Sequence, residues 1–289
     1  MHQTKKLFHV EQSHSSKKPL LPDQIIAKLN TQWLGHTIHL FQQLQSTNLT
    51  AIRLAGQGAA EGTVVLAEYQ THGRGRRSRS WSSPPGIGIY CSIILRPKLS
   101  PAEGQLITLL TAVAVAKAVE VKVHPSPRIK WPNDILINNR KVAGILLESK
   151  AGSVEMEYAV VGVGINVNQT SDALADEYLS KATSLLIETG QQVDRSALIG
   201  QLFVELENLY ETLHRGEAAT ILQQWRRFSS TVGQHVRVSG KEGVTEGVAL
   251  DVTKAGALLI RQGDGSLVVV HAGDVEHLRV FPDEETNGE

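Results

Sequence analysis

The 289-residue sequence predicts an α+β protein: an antiparallel meander accompanied by helices, followed by a small C-terminal β-barrel. Three stretches carry that prediction. Residues 128–167 alternate apolar, β-rich runs with short turns, the pattern of an antiparallel meander. Residues 101–121 place Leu106, Leu109, Leu110, Val113 and Ala116 on one broad apolar helical face. From Gly233 onward, runs such as His235-Val236-Arg237-Val238 and Ala257-Leu258-Leu259-Ile260 alternate with glycine turns over roughly fifty residues, which reads as a barrel of short strands.

The elements follow in order. The first eighteen residues are polar, carry histidines and lysines, and lack an apolar core, so they read as a loose N-terminus and not as a signal peptide or membrane anchor. Ile25, Ile26, Leu29 and Trp33 give residues 22–34 a helical spacing, and 37–44 read as a short strand. Ser46 is a candidate N-cap for a helix that starts at Thr47 and stops near Gly56 or Gly58. Residues 63–68 form a strand that delivers a glycine- and arginine-rich segment, after which 87–95 is a second apolar run.

Pro101 suits the first turn of the long helix, and Lys117 lies on its apolar face, where the stem packs while the ammonium reaches water. Residues 128–137 and 141–149 are β-rich runs joined by Asn138-Asn139-Arg140, and 157–167 supply a third strand. Past Asn168 a stretch rich in Ser, Asp and Ala leads to two helices, 194–215 and 217–229. These readings divide the chain into a leading segment 1–45, a large domain 46–230 and a small one 231–282.

Composition narrows the function. Lysine plus arginine and aspartate plus glutamate number 29 each, so any basic cluster is local, and a general nucleic-acid-binding surface is disfavoured. The sole cysteine, Cys91, sits inside the apolar run 87–95 and reads as inert packing in a reducing compartment. No run reaches membrane-spanning length, and a cytoplasmic location is expected.

Four clusters carry the chemistry. Gly73-Arg74-Gly75-Arg76-Arg77-Ser78-Arg79 sets four guanidinium forks on a segment whose glycines let backbone N–H groups approach the same anion. In Lys130-Trp131-Pro132-Asn133-Asp134 a proline separates a cation from an amide and a carboxylate, and Asp134 could hold a magnesium ion that is itself bound to phosphate. Lys141 opens the apolar strand that contains Gly144; the two sit an odd number apart and face opposite sides unless the backbone bends. Gly162-Val163-Gly164-Ile165-Asn166 places two glycines and an asparagine in a strand, while Ser46-Thr47-Asn48 and Gln70 supply hydroxyl and amide groups that a small polar ring could use.

In content and order these motifs resemble the biotin protein ligases, from Tyr69-Gln70 and the arginine segment with Trp81, through Lys130-Trp131-Pro132-Asn133-Asp134 and Lys141-Val142-Ala143-Gly144-Ile145-Leu146, to Gly164-Ile165-Asn166. The resemblance implies a catalytic domain similar to that of class II aminoacyl-tRNA synthetases, a mixed, mainly antiparallel sheet flanked by helices, with a small SH3-like domain behind it. It implies ATP-dependent attachment of biotin to a lysine of a biotin carboxyl carrier protein, through biotinyl-5'-AMP and with Mg²⁺. About forty-five residues precede Ser46, fewer than the DNA-binding winged helix of the larger members occupies, so the chain resembles the short, monofunctional form. No DNA and no membrane partner is expected, and a homodimer stays open. The family usually has glycine where this chain has Ser78.

By matching motif positions, the resemblance implies that Arg74 and Arg76 hold the biotin carboxylate and the α-phosphate, with Arg79 nearer the nucleotide phosphates. Lys141 would bridge the reacting oxygens; these three, Lys141, Arg76 and Arg74, are the expected catalytic residues. Ser46, Thr47, Gln70, Gly73 and Gly144 would surround biotin, while Trp81, Asn133 and Asn166 would serve ATP and Asp134 the metal. A lipoate or octanoate ligase of the same superfamily is the nearest rival, and a nucleic-acid-binding module is a more distant one.

Overall fold

A computed structural model describes residues 19–174, 181–240 and 243–278, so the expected loose N-terminus lies outside the described residues. The chain runs α1 (Pro22–Ile26), β1 (Ile38–Phe41), α2 (Thr47–Gly56), β2 (Val64–Ala67), β3 (Gly88–Leu95), α3 (Gly104–Glu120), β4 (Arg128–Lys130), β5 (Asp134–Ile137), β6 (Arg140–Ala151) and β7 (Met156–Asn166). It continues through α4 (Leu185–Thr189), α5 (Arg195–His214) and α6 (Ala218–Phe228) to β8 (His235–Gly240), β9 (Gly243–Val252), β10 (Leu258–Arg261), β11 (Leu267–Val270) and β12 (Asp274–His277).

Seven strands form one sheet in the order β1-β2-β3-β7-β6-β5-β4. Only β1 and β2 run parallel; every other neighbouring pair is antiparallel, as the sequence predicts. β3, between β2 and β7, is buried along its whole length and reads as an apolar run broken only by Ser92, because both faces of the sheet are covered. Helix α2 packs on β2, β3 and β7, while α3 packs against α5 and α6. The last five strands form a separate antiparallel sheet, β11-β10-β9-β8-β12, with β11 and β12 at its edges.

Helix α3 is apolar all round and not on one face only, which is what a helix enclosed by other elements requires. With its preceding 3₁₀ turn, Pro101–Glu120 is in fact long and apolar enough to cross a membrane, contrary to expectation, yet 78% of that window is buried inside the protein. Its Lys117 does not simply reach water, because the ammonium pairs with Glu205 of α5.

Elsewhere too the sequence reading is corrected. Helix α1 ends at Ile26 and not near Leu34, because the backbone N–H groups of Gln32, Trp33 and Leu34 donate to the Glu207 carboxylate at 2.7, 3.0 and 2.9 Å. A side chain from α5 thereby takes the donors that further helical turns would have used. The run 128–137 splits into β4 and β5, which pair antiparallel around Trp131-Pro132-Asn133, where Pro132 has no N–H to give a ladder. Asn138 and Asn139, both at positive φ, make the tight turn by themselves, so Arg140 opens β6.

Trp131 locks the two sheets together. It is 1% exposed, its backbone N–H donates to the Thr231 hydroxyl at 3.0 Å, and its indole N–H donates to the Gly256 carbonyl at 3.1 Å. The seam beside the arginine segment is thus filled by a buried aromatic whose polar atoms are both satisfied.

Candidate active site

The segment between β2 and β3 springs from a fixed base. Arg195, at the start of α5, donates to the Glu68 carboxylate at 2.7 and 3.2 Å and to the Gly88 carbonyl at 3.0 Å, which ties both stems to one buried guanidinium. Further out, Trp81 N–H donates to the Gly73 carbonyl at 2.9 Å and Gly75 N–H to the Arg79 carbonyl at 2.7 Å, so the arginines sit on a narrow hairpin-like loop. Gly73 cannot be replaced there, because a Cβ would lie 2.3 Å from the Trp81 carbonyl oxygen. Arg77 and Ser78 hold left-handed backbone, with φ of 52° and 61°.

The guanidinium groups diverge. Arg76 donates to Asn133 Oδ1 at 3.0 Å and to the Gly273 carbonyl at 3.2 Å, and lies 3.8 Å from the Asp274 carboxylate. Arg77 and Arg79 reach the other oxygen of Asp274, at 3.5 and 2.5 Å. Arg74 points the opposite way, to Glu148 of β6 at 3.0 Å.

Beneath the loop, the parity problem at Lys141 is solved by a bulge. β6 pairs Ala143 with Ile135 but Lys141 with Leu136, leaving Val142 as an extra residue. Lys141 and Gly144 then share a face, and the bend that the sequence reading required lies at Val142. The ammonium contacts Asp134 at 2.6 Å and stands 5.3 Å from the Trp81 ring centroid. Trp81 rests on a glycine floor: a Cβ on Gly164 would come within 2.5 Å of its ring, and one on Gly144 within 3.0 Å.

At the other end lies a buried polar patch. Gln70 Oε1 accepts from Thr47 N–H at 2.8 Å and from the Thr47 hydroxyl at 3.1 Å, while Gln70 Nε2 donates to the Ser83 hydroxyl at 2.8 Å. Ser92, fully buried on β3, faces the Thr47 hydroxyl at 2.8 Å and also Asn48 Oδ1. Ser46 occupies the N-cap position of α2 without a capping bond from its side chain.

Residues 40–166 match the biotin/lipoate A/B protein ligase family, and residues 231–278 match the biotin protein ligase C terminal domain. The bifunctional ligase/repressor BirA of Bacillus spizizenii is 37% identical over 262 residues, covering 90% of this chain and 80% of that protein. The biotin–[acetyl-CoA-carboxylase] ligase of Mycobacterium tuberculosis is 34% identical over 266 residues, 90% of this chain and 94% of that one. The chain belongs to the biotin protein ligase family. Among solved structures, the Aquifex aeolicus biotin protein ligase in complex with biotin and ATP superposes with a TM-score of 0.72 at 27% identity, over 85% of this chain and 100% of that one.

In this biotin protein ligase family member, one cleft gathers most of the residues singled out from the sequence: Ser46, Thr47, Gln70, Arg74, Arg76, Arg79, Trp81, Asn133, Asp134, Lys141 and Gly144 line it. Gly73 lines the groove that adjoins it. Asn166 is not in its wall; its amide donates to the Thr183 carbonyl at 3.0 Å and accepts from Gln169 at 3.3 Å. Three partners escaped the sequence reading, whereas Asn48 was read together with Ser46, Thr47 and Gln70 as a source of polar groups. Ser92 was visible only as a polar residue in an apolar strand. Glu148 and Asp274 carried no signal, since nothing local marks a carboxylate as the partner of a distant arginine.

Burial pushes the Arg76 guanidinium below arginine's ordinary value, with Asp274 opposing. Burial likewise lowers the Lys130 ammonium, with Asp134 opposing and the nearby cations Lys181 and Lys141 adding to the shift. The cleft is thus rich in positive charge that the protein only partly neutralises. Cys91 also borders it, but burial pushes its thiol up to about 12, consistent with inert packing.

Proposed function

We propose that this chain is an ATP-dependent biotin protein ligase whose cleft performs both halves of the reaction. In the first half, a biotin carboxylate oxygen attacks the α-phosphorus of ATP and pyrophosphate leaves, giving biotinyl-5'-AMP. In the second, the lysine amine of a biotin carboxyl carrier domain attacks the acyl carbon, losing a proton, and AMP leaves. The carrying observation is that Arg74, Arg76 and Lys141 line one cleft whose far end is a buried hydroxyl and amide patch.

Two anions must meet, which costs Coulomb energy that fixed cations offset in a water-poor site. Arg74 and Arg76 hold the carboxylate and the α-phosphate, Arg79 the outer phosphates, and Lys141 the oxygens that gain charge during transfer. Lys141 must leave Asp134 to do so, and approaching phosphates supply the competing charge. Trp81 offers an aromatic face to adenine, and Asn133 fixes Arg76 from below. Asn166 would act on the nucleotide side, from the end of β7.

Magnesium fits as an ion carried in with ATP. No group of three or more His, Cys, Asp or Glu that could hold a metal occurs among the described residues, but Mg²⁺ bound to substrate phosphates needs only one or two carboxylates, and Asp134 supplies one. The Thr47, Gln70, Ser92 and Asn48 patch favours biotin over lipoate, because the ureido ring of biotin presents paired donors and acceptors and a dithiolane ring presents none.

The test is to mix the protein with biotin, Mg²⁺-ATP and a biotin carboxyl carrier domain and to weigh the carrier. A gain of one biotinyl group on one lysine, absent with lipoate, supports the reading. No mass gain, or an equal gain with lipoate, overturns it.

A further inference from the structure

Arg74 is exposed, flexible by nature and set on a loop, yet it is not free to wander. Its Nη1 lies 3.0 Å from Glu148 Oε1 and donates to Oε2 at 3.2 Å, whereas its other nitrogens make no hydrogen bond among the described residues. Glu148 is itself anchored from behind: Asn48 Nδ2 donates to the same Oε2 at 2.9 Å and to the Leu146 carbonyl at 3.3 Å. Asn48 in turn occupies space that exists only because Gly162 lacks a side chain, where a Cβ would fall 2.1 Å from Asn48 Oδ1. A chain of contacts therefore runs from the glycine strand β7, through an amide on α2 and a carboxylate on β6, to one nitrogen of a loop arginine.

We infer that Glu148 is a positioning residue that presents Arg74 to the carboxylate of the acid substrate. The inference rests on the ligase reading above. Glu148 grips only Nη1, leaving Nη2 and Nε to form a fork toward a second carboxylate. Restricting a long side chain before the ligand arrives removes part of the ordering cost from binding. A carboxylate beside a carboxylate-binding arginine would otherwise compete with the substrate. Its second anchor at Asn48 keeps it in place when Arg74 turns its free edge to the ligand.

The experiment compares the full-length protein with Glu148→Gln, Glu148→Asp and Glu148→Ala, measuring pyrophosphate release at varied biotin and varied ATP. The alanine and aspartate variants, which lose the reach, should raise KM for biotin about tenfold, equivalent to about 1.4 kcal/mol. KM for ATP and kcat should stay within about threefold. The glutamine variant keeps the reach and an acceptor oxygen and is expected to retain biotin KM within about threefold, while also guarding against loss of fold as the explanation. The inference is overturned by an unchanged or lowered biotin KM in Glu148→Ala, by a parallel rise in KM for ATP, or by rescue with aspartate and not glutamine. Absence of turnover by the unaltered protein would instead sink the ligase reading, and the inference with it.

Discussion

Lys141 meets Asp134 at 2.6 Å because β6 carries one extra residue, Val142, opposite the step from Ile135 to Leu136. Without that bulge the lysine would project to the other face of the sheet, away from the cleft. If the ammonium acts on the reacting oxygens, Lys141→Ala should lower pyrophosphate release with biotin and ATP by about 10²-fold or more. Thermal stability should hardly change, because the side chain is about a third exposed and its ion pair is worth little to folding. Near-normal pyrophosphate release by this variant would remove Lys141 from the mechanism.

Asp274 collects Arg76, Arg77 and Arg79 from across the seam between the sheets. Asp274→Asn should loosen the loop without unfolding the protein, since these partly exposed pairs contribute about 0–1 kcal/mol each. Limited trypsin digestion should then cut faster within residues 74–79, and biotin plus ATP should restore protection in both proteins by supplying new anions. A cleavage rate that neither the substitution nor the ligands alter would refute a loop held by counter-charge.

Ser78 sits at φ 61°, in the left-handed backbone region that glycine adopts most easily. The left-handed conformation costs an L-residue about 1–2 kcal/mol, and the site is solvent-exposed, so packing does not obscure the effect. Ser78→Gly should therefore be neutral or stabilising by up to about 1 kcal/mol, and Ser78→Val destabilising by about 1–2 kcal/mol. Urea unfolding of the two variants gives the comparison; an equal midpoint for both would contradict the strained backbone.

His277, beside the seam, has its pKa lowered below 6.5 by burial and then by Lys130. The unfolded chain consequently binds more protons than the folded one just below 6.5, so this residue makes stability rise with pH through that window and fall on acidification. His277→Gln should flatten that part of the profile, with little effect above pH 7 where the imidazole is neutral in both states. Thermal melts of the two proteins across this range, superimposing at every pH, would show that the histidine does not contribute.

Much of the architecture could be read directly from the chain. The antiparallel meander β5-β6-β7, the paired glycines of β7 and the helices α5 and α6 each follow from alternation, turn residues and apolar spacing within a short window. Helix α1 could not, because its end depends on Glu207, which lies 173 to 175 residues away in sequence. Nor could the bulge at Val142 be placed, since a bulge is a property of two strands in register and not of one.

The same divide separates the parts of the site. Residue types were enough to single out the arginine loop and Lys141 as candidates for binding anions, and the family resemblance drew Trp81, Thr47 and Gln70 to the same place; all of them line one cleft. Which carboxylate faces which arginine was settled by folding alone: Arg74 finds Glu148 at a separation of 74 residues and Arg79 finds Asp274 at 195. Charges attract through space without regard to chain position, so their pairing is set by how the two sheets and the loop come to lie against each other.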